Sequence, residues 1–325
     1  MKFIKIILLS LFLSFFTILN ASEIKEVLAK KKIAYIVSDS SIPFWKIISK
    51  GINDNAEKLG YELSVYNSNN NKKIEIENTF KAIKDKVDAI IISPINSSSA
   101  VTILKFAKAA NIPVVISDIG ADSGEYLSFI SSNNEEGAYN LGLILAEKMK
   151  MLNWDKTGTV GIIAIPQKRA NGKARTTGFM KAMNEANIQV EGLKKQADFT
   201  YEETYEFSKE LIQENKNIKA IWLQGSDKYK ATLKAIKEQG KEKDILLVVF
   251  DAEPEFLDLI SQGKIIASAM QQPYLFGEKA LLTIDNFFNK KSFDKHIQLP
   301  ILAISAENIK SNIPLIKRNV LGILE

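Results

Sequence analysis

The chain has 325 residues, of which 46% are hydrophobic and 25% charged, and it contains one histidine and no cysteine. This length and apolar content predict a globular protein with two domains of roughly 150 residues each, not a disordered chain. Without cysteine there is no disulfide framework, thiolate metal site, cysteine nucleophile or lipid-modified N-terminal cysteine. A single histidine argues against a Ser–His–Asp triad or a site built from several histidines.

The N-terminal segment has the layout of a secretory signal peptide. Lys2 and Lys5 precede an uncharged apolar run, residues 6–19, and Ala21 then supplies a small residue before Ser22. The run is shorter than the roughly 20 residues that a transmembrane helix needs, which argues against a membrane anchor. We therefore expect residues 1–21 to be a signal peptide, cleaved after Ala21, and the mature protein to be exported.

The excess of positive charge does not point to a nucleic-acid partner. Removal of residues 1–21 takes away two lysines and no acids, which lowers the formal net charge from +5 to +3. The remaining lysines are mixed with glutamates, as in residues 202–219, and form no basic stripe with interleaved aromatic residues. We interpret this pattern as a solvated surface of mixed charge.

From Lys32 onward the chain alternates short apolar strands with amphipathic helices. The predicted strands are residues 33–38, 62–66, 89–93, 114–118, 159–165, 189–196, 220–224, 246–251 and 265–271. The predicted helices are residues 44–59, 74–84, 99–110, 138–151, 174–186, 205–214, 230–239 and 276–289. Several strands are apolar on both faces, which is typical of parallel strands covered by helices on each side. The pattern predicts an α/β fold with doubly wound parallel sheets.

The strands divide into two sets, before and after residues 133–134, which predicts two similar α/β lobes. Ligands bind beyond the carboxyl ends of such strands. Polar residues follow nearly every predicted strand at that end: Ser38-Asp39, Ser93-Pro94, Asp118-Ile119, Gln224-Gly225, Asp251-Ala252 and Gln271-Gln272. We therefore expect these residues to face a cleft between the lobes.

The sequence lacks the common nucleotide-binding and hydrolase motifs. There is no G-x-G-x-x-G, no G-x-x-x-x-G-K-[ST] and no G-x-S-x-G. His296 lies in a loop-like stretch without ligand-spaced partners, and we interpret it as a surface or hinge residue. We expect no cofactor, no metal site and no catalytic residues.

A series of short motifs resembles the periplasmic sugar-binding proteins of ABC transporters, of the ribose-binding type. The motifs are Ser-Ile-Pro-Phe-Trp (41–45), Ile-Ser-Pro-Ile-Asn-Ser (92–97), Ile-Pro-Val-Val-Ile-Ser-Asp (112–118), Ser-Ser-Asn-Asn (131–134), Ala-Arg-Thr-Thr-Gly-Phe (174–179), Val-Val-Phe-Asp (248–251) and Ala-Met-Gln-Gln-Pro (269–273). The resemblance runs from about Lys32 to Asn308 and implies two lobes joined by a hinge of three crossovers. It places the first lobe at 32–132 plus 272–299 and the second at 133–271 plus 300–325.

The resemblance also implies a set of ligand-binding residues: Phe44, Trp45, Asp118, Asn134, Arg175, Phe199, Asp251 and Gln271. Aromatic faces would pack on the apolar face of a sugar, while carboxylates, amides and a guanidinium would bind its hydroxyls. Six of these eight residues also have a structural alternative. The two adjacent aromatics could be core residues, Asp118 a turn former, Asp251 or Asn134 a helix cap, and Arg175 a solvated helix residue.

Four positions depart from the ribose-binding pattern. Ile119 stands where that pattern has arginine, while Ile42, Ser93 and Gly225 stand where it has polar side chains that reach the ligand. Loss of hydroxyl-reading groups changes which ligand a site accepts. We therefore expect not ribose but a less hydroxylated or modified sugar, or a small polyol-like ligand.

The resemblance implies a periplasmic monomer that captures a small sugar-like ligand and docks on a membrane permease. The alternative is a periplasmic co-receptor that reports its ligand to a sensor kinase or chemoreceptor. A transcriptional regulator is disfavoured because an export signal occupies the place of a DNA-binding domain. An enzyme is disfavoured because Asp118 and Asp251 alone do not make a glycosidase site.

Overall fold

The computed structural model describes residues 30–167, 169–197 and 199–324. The predicted signal peptide, residues 1–21, lies outside the described residues. No helix in the part of the chain that the structure describes is both long and apolar enough to span a bilayer.

The first half of the chain alternates strands and helices as far as the fifth strand. In chain order the elements are β1 (Lys32–Val37), α1 (Pro43–Leu59), β2 (Glu62–Asn67), α2 (Lys72–Lys84), β3 (Ala89–Ser93), α3 (Ser97–Ala109), β4 (Val114–Ser117) and β5 (Ser128–Ser132). Local signals fix several boundaries. Pro43 begins α1, Gly60 ends it in the left-handed conformation, and the side chains of Asn71 and Asn96 cap α2 and α3.

The second half repeats this alternation and then adds a C-terminal segment. Its elements are α4 (Asn134–Met151), β6 (Thr159–Ala164), α5 (Ala170–Glu185), β7 (Gln189–Lys195), α6 (Tyr201–Glu214), β8 (Ile218–Leu223), α7 (Tyr229–Glu238), β9 (Leu246–Phe250), α8 (Phe256–Ser261), β10 (Ala267–Met270), α9 (Pro273–Phe288), β11 (His296–Leu299), β12 (Leu302–Ser305), α10 (Ile309–Leu315) and a π-helix (Ile316–Val320).

The strands form two separate six-stranded sheets. Their orders are β11-β5-β4-β3-β1-β2 and β12-β10-β9-β8-β6-β7. All the strand pairs are parallel except β10 with β12, which is antiparallel. The predicted α/β fold with two doubly wound, mainly parallel sheets is confirmed.

The chain passes between the two sheets in three places. It leaves the first sheet after β5, returns to it after β10 through α9, and leaves again between β11 and β12. Helix α9 packs along α1, where Gly51 and Gly277 allow the two backbones to come close. Each crossing is therefore a short segment next to the cleft.

Each sheet is buried on both faces beneath its helices. One side of the first sheet packs around Tyr35, Ile48 and Phe276, and one side of the second packs around Phe179 and Trp222, whose stacked rings lie 4.0 Å apart. Strand β3 is buried along its whole length. The apolar runs of the sequence therefore form the two sheets, as predicted.

The sequence pattern missed β5, β11 and β12. Strand β5 is rich in serine, and the other two have four residues each, so neither length nor alternation identifies them. His296 begins β11 instead of lying in a loop, and its ring stacks on Phe129 at 5.2 Å. Its Nε2 pairs with the hydroxyl of Ser131 at 2.6 Å.

Candidate functional site

A cleft with about 540 Å³ of empty space lies between the two sheets, at the carboxyl ends of their strands. Seven of the eight predicted site residues line it: Phe44, Trp45, Asp118, Arg175, Phe199, Asp251 and Gln271. They lie in helices α1 and α5 and in the segments that follow β4, β7, β9 and β10. The fold therefore gathers residues that are far apart in the sequence around one cavity.

Phe44 and Trp45 form the aromatic wall on the first lobe. Pro43 starts helix α1 at the end of the β1 loop, so the two rings stand at the mouth of the cleft. The rings meet edge to face with centroids 6.3 Å apart, and Phe44 also contacts Phe276. The sequence left open whether these rings are core residues or ligand contacts. In the structure both rings pack on the core of the first lobe and also line the cavity.

Asp118 is the buried acid of the first lobe. It follows β4 with a φ of 75°, a left-handed conformation that an aspartate tolerates better than most residues. Its Oδ2 accepts a hydrogen bond from the indole Nε1 of Trp45 at 3.1 Å. Burial raises the pKa of Asp118 to about 6, although the positive charges of Arg175 and Arg169 oppose this shift.

Asp251 occupies the equivalent place on the second lobe. It follows β9 with a φ of 68°, and its Oδ1 accepts a hydrogen bond from Nε2 of Gln271 at 2.7 Å. Nη1 of Arg175 lies 3.7 Å from its Oδ2. Burial raises the pKa of Asp251, and Arg175 and the Gln271 amide act against the rise. The alternative of a helix cap does not hold, because the residue before α8 is Glu255.

Arg175 is a buried cation in α5, not a solvated helix residue. Its Nε donates to Oδ1 of Asn134 and its Nη1 donates to the carbonyl of Gln224, both at 2.8 Å. The guanidinium also lies over the ring of Phe250, 3.8 Å from the centroid. These contacts hold it rigidly between the acids of the two lobes.

Asn134 does not line the cavity. Its Oδ1 holds Arg175, and its Nδ2 donates to the carbonyl of Ser132 at 3.2 Å. The side chain of the preceding residue, Asn133, caps helix α4. Asn134 therefore contributes to the site by fixing the arginine that faces the cavity.

Phe199 enters the cavity from the loop between β7 and α6. Its φ of 57° is unusual for an aromatic residue, and its N–H donates to Oε2 of Glu203 at 2.8 Å. The ring faces the guanidinium of Arg169, with 5.2 Å from Cζ to the centroid. This turn of the chain aims the ring into the cleft.

Several residues of the site were not predicted from the sequence, among them Arg169, Asn171 and Glu253, which line the cavity. Burial raises the pKa of Glu253 to about 7, and the hydroxyl of Ser226 donates to its Oε1 at 2.8 Å. Gln224, which directly follows β8, also lines the cavity, and the strand-end pattern of the sequence did point to it. Arg169 and Glu253 stand among ordinary charged residues and have no such signal.

The four departures from the ribose-binding pattern lie in or beside the cleft. Ile42 and Gly225 line the cavity, while Ile119 is buried in the core of the first lobe. Ser93 is fully buried and its hydroxyl pairs with that of Tyr35 at 2.9 Å. Near Gly225, Ser226 and Asp227 also line the cavity. None of these four positions therefore offers the cavity a polar side chain.

Two carbonyl oxygens in the wall are buried without a hydrogen bond. Oε1 of Gln224 and Oε1 of Gln271 accept no hydrogen bond from any described residue. A buried acceptor without a partner is costly, and a hydroxyl donor that entered the cavity would remove that cost. Among the residues described by the structure, no group of three or more His, Asp or Glu side chains could hold a metal ion.

The geometry agrees with the comparisons with known proteins. The sequence matches the family described as periplasmic binding protein domain over residues 33–292. The ribose import binding proteins of Bacillus subtilis and Escherichia coli are 28% identical over 266 residues and 29% over 271 residues. The match covers 82% of this chain in both cases, with 84% and 88% of the relatives. The D-apiose import binding protein of Actinobacillus succinogenes is 27% identical over 284 residues, with 86% of this chain and 89% of the relative covered.

Solved structures of solute-binding proteins share the fold. A carbohydrate transporter solute-binding protein from Agrobacterium radiobacter, in complex with D-arabinose, aligns with a TM-score of 0.82 and 22% identity over 90% of this chain and 99% of that chain. An ABC transporter periplasmic solute-binding protein from Actinobacillus succinogenes, with bound D-allose, aligns with a TM-score of 0.80 and 21% identity, covering 87% and 100% of the two chains. The curated relatives are import binding proteins, not enzymes. Because the family match spans most of the chain, this protein belongs to the periplasmic binding protein family.

Proposed function

We propose that this protein is the binding component of an ABC-type sugar import system. The observation that carries the proposal is the composition of the cavity. An aromatic pair from one lobe faces two buried acids and a rigidly held arginine, and the acids belong to different lobes. Aromatic faces bind the C–H face of a sugar, and carboxylates accept hydrogen bonds from its hydroxyl groups.

The polar groups suit a neutral ligand with several hydroxyl donors. The acceptors are Asp118, Asp251 and the unpartnered side-chain carbonyl oxygens of Gln224 and Gln271. Among the described residues, two cations line the cavity, Arg169 and Arg175, against four acids: Asp118, Asp227, Asp251 and Glu253. The same charge balance disfavours an anionic ligand, which would meet two buried carboxylates. With Ile42 and Gly225 in the wall, we favour a compact sugar with fewer hydroxyls to bind than ribose, or a modified sugar.

Closure of the cleft would couple binding to transport. We take the first lobe as residues 32–132 plus 272–299 and the second as residues 133–271 plus 300–325, which agrees with the strand order of the two sheets. A ligand that contacts Asp118 and Asp251 at once binds the closed form better than the open form, so it shifts the population toward closure. The closed monomer would then dock on a membrane permease in the periplasm, after removal of the signal peptide.

Import is favoured over signalling through a sensor kinase because the relatives that match most of the chain are import binding proteins. No feature of the cavity favours the sensing role. A nucleic-acid partner is disfavoured by the mixed surface charge.

The proposal is tested by the sugar that the protein carries and by the loss of that sugar in a variant. Native mass spectrometry of protein purified without denaturation should show a bound mass in the range of a single sugar. In a thermal-shift panel of D-ribose, D-apiose, D-allose, D-arabinose, deoxy sugars and small polyols, at least one member should then raise the unfolding temperature, because a ligand that binds only the native state stabilises it.

The matched variants are Asp251→Ala, in the cavity, and Asp294→Ala, at an exposed position of the first lobe. We expect D251A to lose the bound mass and the thermal shift while it keeps its circular dichroism spectrum, and D294A to behave like the native protein. Normal sugar binding by D251A would contradict the site, and enzymatic turnover of a panel sugar would contradict the function.

A further inference from the structure

A second cleft lies directly outside the ligand cavity. It has about 820 Å³ of empty space and is lined by polar residues of both lobes, among them Asp39, Asn69 and Lys228. The two cavities share only a few wall residues: Ile42, Trp45, Arg169 and Phe199. These side chains form a partition between the inner cavity and the outer cleft.

Arg169 is the polar member of this partition and it crosses between the lobes. It stands at the start of α5 in the second lobe, and only 8% of its surface is exposed. Its Nε donates to the carbonyl of Ile95 in the first lobe at 3.2 Å. The guanidinium lies between two rings, with Cζ 5.5 Å from the centroid of Trp45 and 5.2 Å from that of Phe199.

The acceptor on the first lobe is itself held by a buried acid. Glu75, in α2, is completely buried, and its Oε1 accepts a hydrogen bond from the N–H of Ile95 at 2.8 Å. The peptide groups of Ile95 are therefore fixed in position, with its carbonyl presented to the opposite lobe. A preorganised acceptor loses less entropy when the arginine arrives than a mobile loop would.

The terminal nitrogens of Arg169 remain available to a ligand. Among the described residues, the hydrogen bond of this side chain is the one that Nε donates to Ile95. Burial lowers the pKa of the Arg169 guanidinium, and the negative charge of the buried Asp118 carboxyl acts against this shift. The guanidinium therefore lines the inner cavity with unpartnered donors on a side chain that is more than nine-tenths buried.

We propose that Arg169 is the gate of the ligand cavity: it latches the two lobes through the carbonyl of Ile95 and encloses the ligand behind its guanidinium. The identity of the enclosed molecule as a sugar rests on the proposed function, but the latch itself does not. Glu75 is the positioning residue for the latch. The hydrogen bond to Ile95 and the cation–π contact with Trp45 join the two lobes, so they form only when the cleft is closed and bias the empty protein toward closure. The contact with Phe199 lies within the second lobe and holds the guanidinium in place.

The latch can be measured in the absence of sugar. The chain contains no cysteine, so two introduced cysteines would be the only labelling sites. We would use Lys73→Cys and Glu202→Cys, which are exposed positions in the first turns of α2 and α6. These helices follow β2 and β7, the edge strands at the far end of each sheet from β11 and β12, where closure moves the lobes most. Pulsed electron–electron double resonance between spin labels on the two cysteines gives the populations of short and long distances.

In this background we expect Arg169→Met to lower the ratio of closed to open protein about tenfold or more, the size expected for loss of these contacts. Arg169→Lys should lie between R169M and the native side chain, because it keeps the charge but not the planar donor. The control Lys173→Met removes an exposed cation one turn further along the same helix and should change nothing. Glu75→Leu should open the protein as R169M does, whereas Glu75→Gln keeps an acceptor and should rescue closure.

The second readout is the release of whichever panel sugar gives the largest thermal shift, measured by stopped-flow fluorescence. R169M should release that sugar at least tenfold faster than K173M. A native protein that is wholly open without sugar, closed populations that are equal in R169M and K173M, or equal release rates would each overturn the proposal. If no panel sugar binds, the proposed function fails, and the distance measurement still decides whether the latch exists.

Discussion

At the scale of single residues, the buried charges that line the cavity destabilise the empty protein. Asp118 accepts one hydrogen bond, from Trp45, and has no salt-bridge partner at contact distance among the described residues. Burial therefore favours its neutral form and raises its pKa to about 6. A buried carboxyl with a raised pKa destabilises the empty protein, and such groups cluster at binding and catalytic sites, which supports the proposed role of Asp118.

The first prediction follows from this pKa. In the unfolded chain Asp118 titrates near 3.8, so between about pH 4 and pH 6 the folded protein binds the proton and the unfolded protein does not. Stability contributed by the neutral form is therefore lost as the pH rises through this range. Asp118→Asn, which stays neutral and can still accept from Trp45, should be more stable than the native protein by about 3 kcal/mol well above pH 6.

The measurement is urea unfolding of the two sugar-free proteins from pH 4 to pH 8. Their difference isolates Asp118 from Glu253, whose pKa burial raises to about 7 in both proteins. We expect the difference to vanish near pH 4, and D118N to lose its thermal shift with the panel sugars. Equal stability of the two proteins at pH 7 would contradict a strained, ligand-directed carboxyl.

At the scale of helices and strands, glycines set the distance between paired helices. A Cβ on Gly178 in α5 would lie 1.9 Å from the carbonyl oxygen of Glu135 in α4, and a Cβ on Gly277 in α9 would lie 2.2 Å from the carbonyl oxygen of Ile48 in α1. Each pair therefore packs backbone against backbone. The α4–α5 contact matters for the site, because it brings Asn134 to Arg175 at 2.8 Å.

The second prediction concerns this contact. Gly178→Ala places a methyl group against rigid backbone, so the helices must separate, and we expect a loss of more than about 2 kcal/mol in the free energy of unfolding. Gly225→Ala is the matched control, because the nearest atom to its Cβ would be Oδ1 of Asp227 at 3.7 Å. It should change stability by less than about 0.5 kcal/mol. Similar unfolding midpoints in urea for G178A and G225A would show that α4 and α5 can adjust.

At the scale of the whole molecule, the residues that line the cleft come from both lobes. The aromatic pair and Asp118 belong to the first lobe, while Arg175 and Asp251 belong to the second. No ligand can contact both acids unless the lobes are close together. The three crossings and the packing of α9 on α1 leave the lobes joined by short segments at one side.

The third prediction is therefore a change of shape. Saturation with a panel sugar that binds should lower the radius of gyration measured by small-angle X-ray scattering, because closure expels solvent from the cleft. D251A under the same conditions should show no change. The same decrease in D251A would mean that closure does not depend on the second-lobe acid.

Much of the architecture follows from the sequence. Apolar runs such as residues 89–92 and 246–250 can be buried on both faces only in a covered parallel sheet, so they predicted the fold class. The family resemblance named eight site residues, of which seven line the cavity. The short strands β5, β11 and β12 escaped detection because four or five residues carry too little pattern.

The sequence by itself determined two α/β lobes and a polar end on nearly every strand, because hydrophobic periodicity and strand-end chemistry are local properties of the chain. Only the tertiary structure decided that Asn134 lies behind Arg175 and that Arg169 reaches Ile95 across the cleft. Those partners are 41 and 74 residues apart, and no local pattern specifies which of many charged side chains will be buried between two lobes. Burial gives these few charges their pKa shifts and their partners, and burial is a property of the assembled fold.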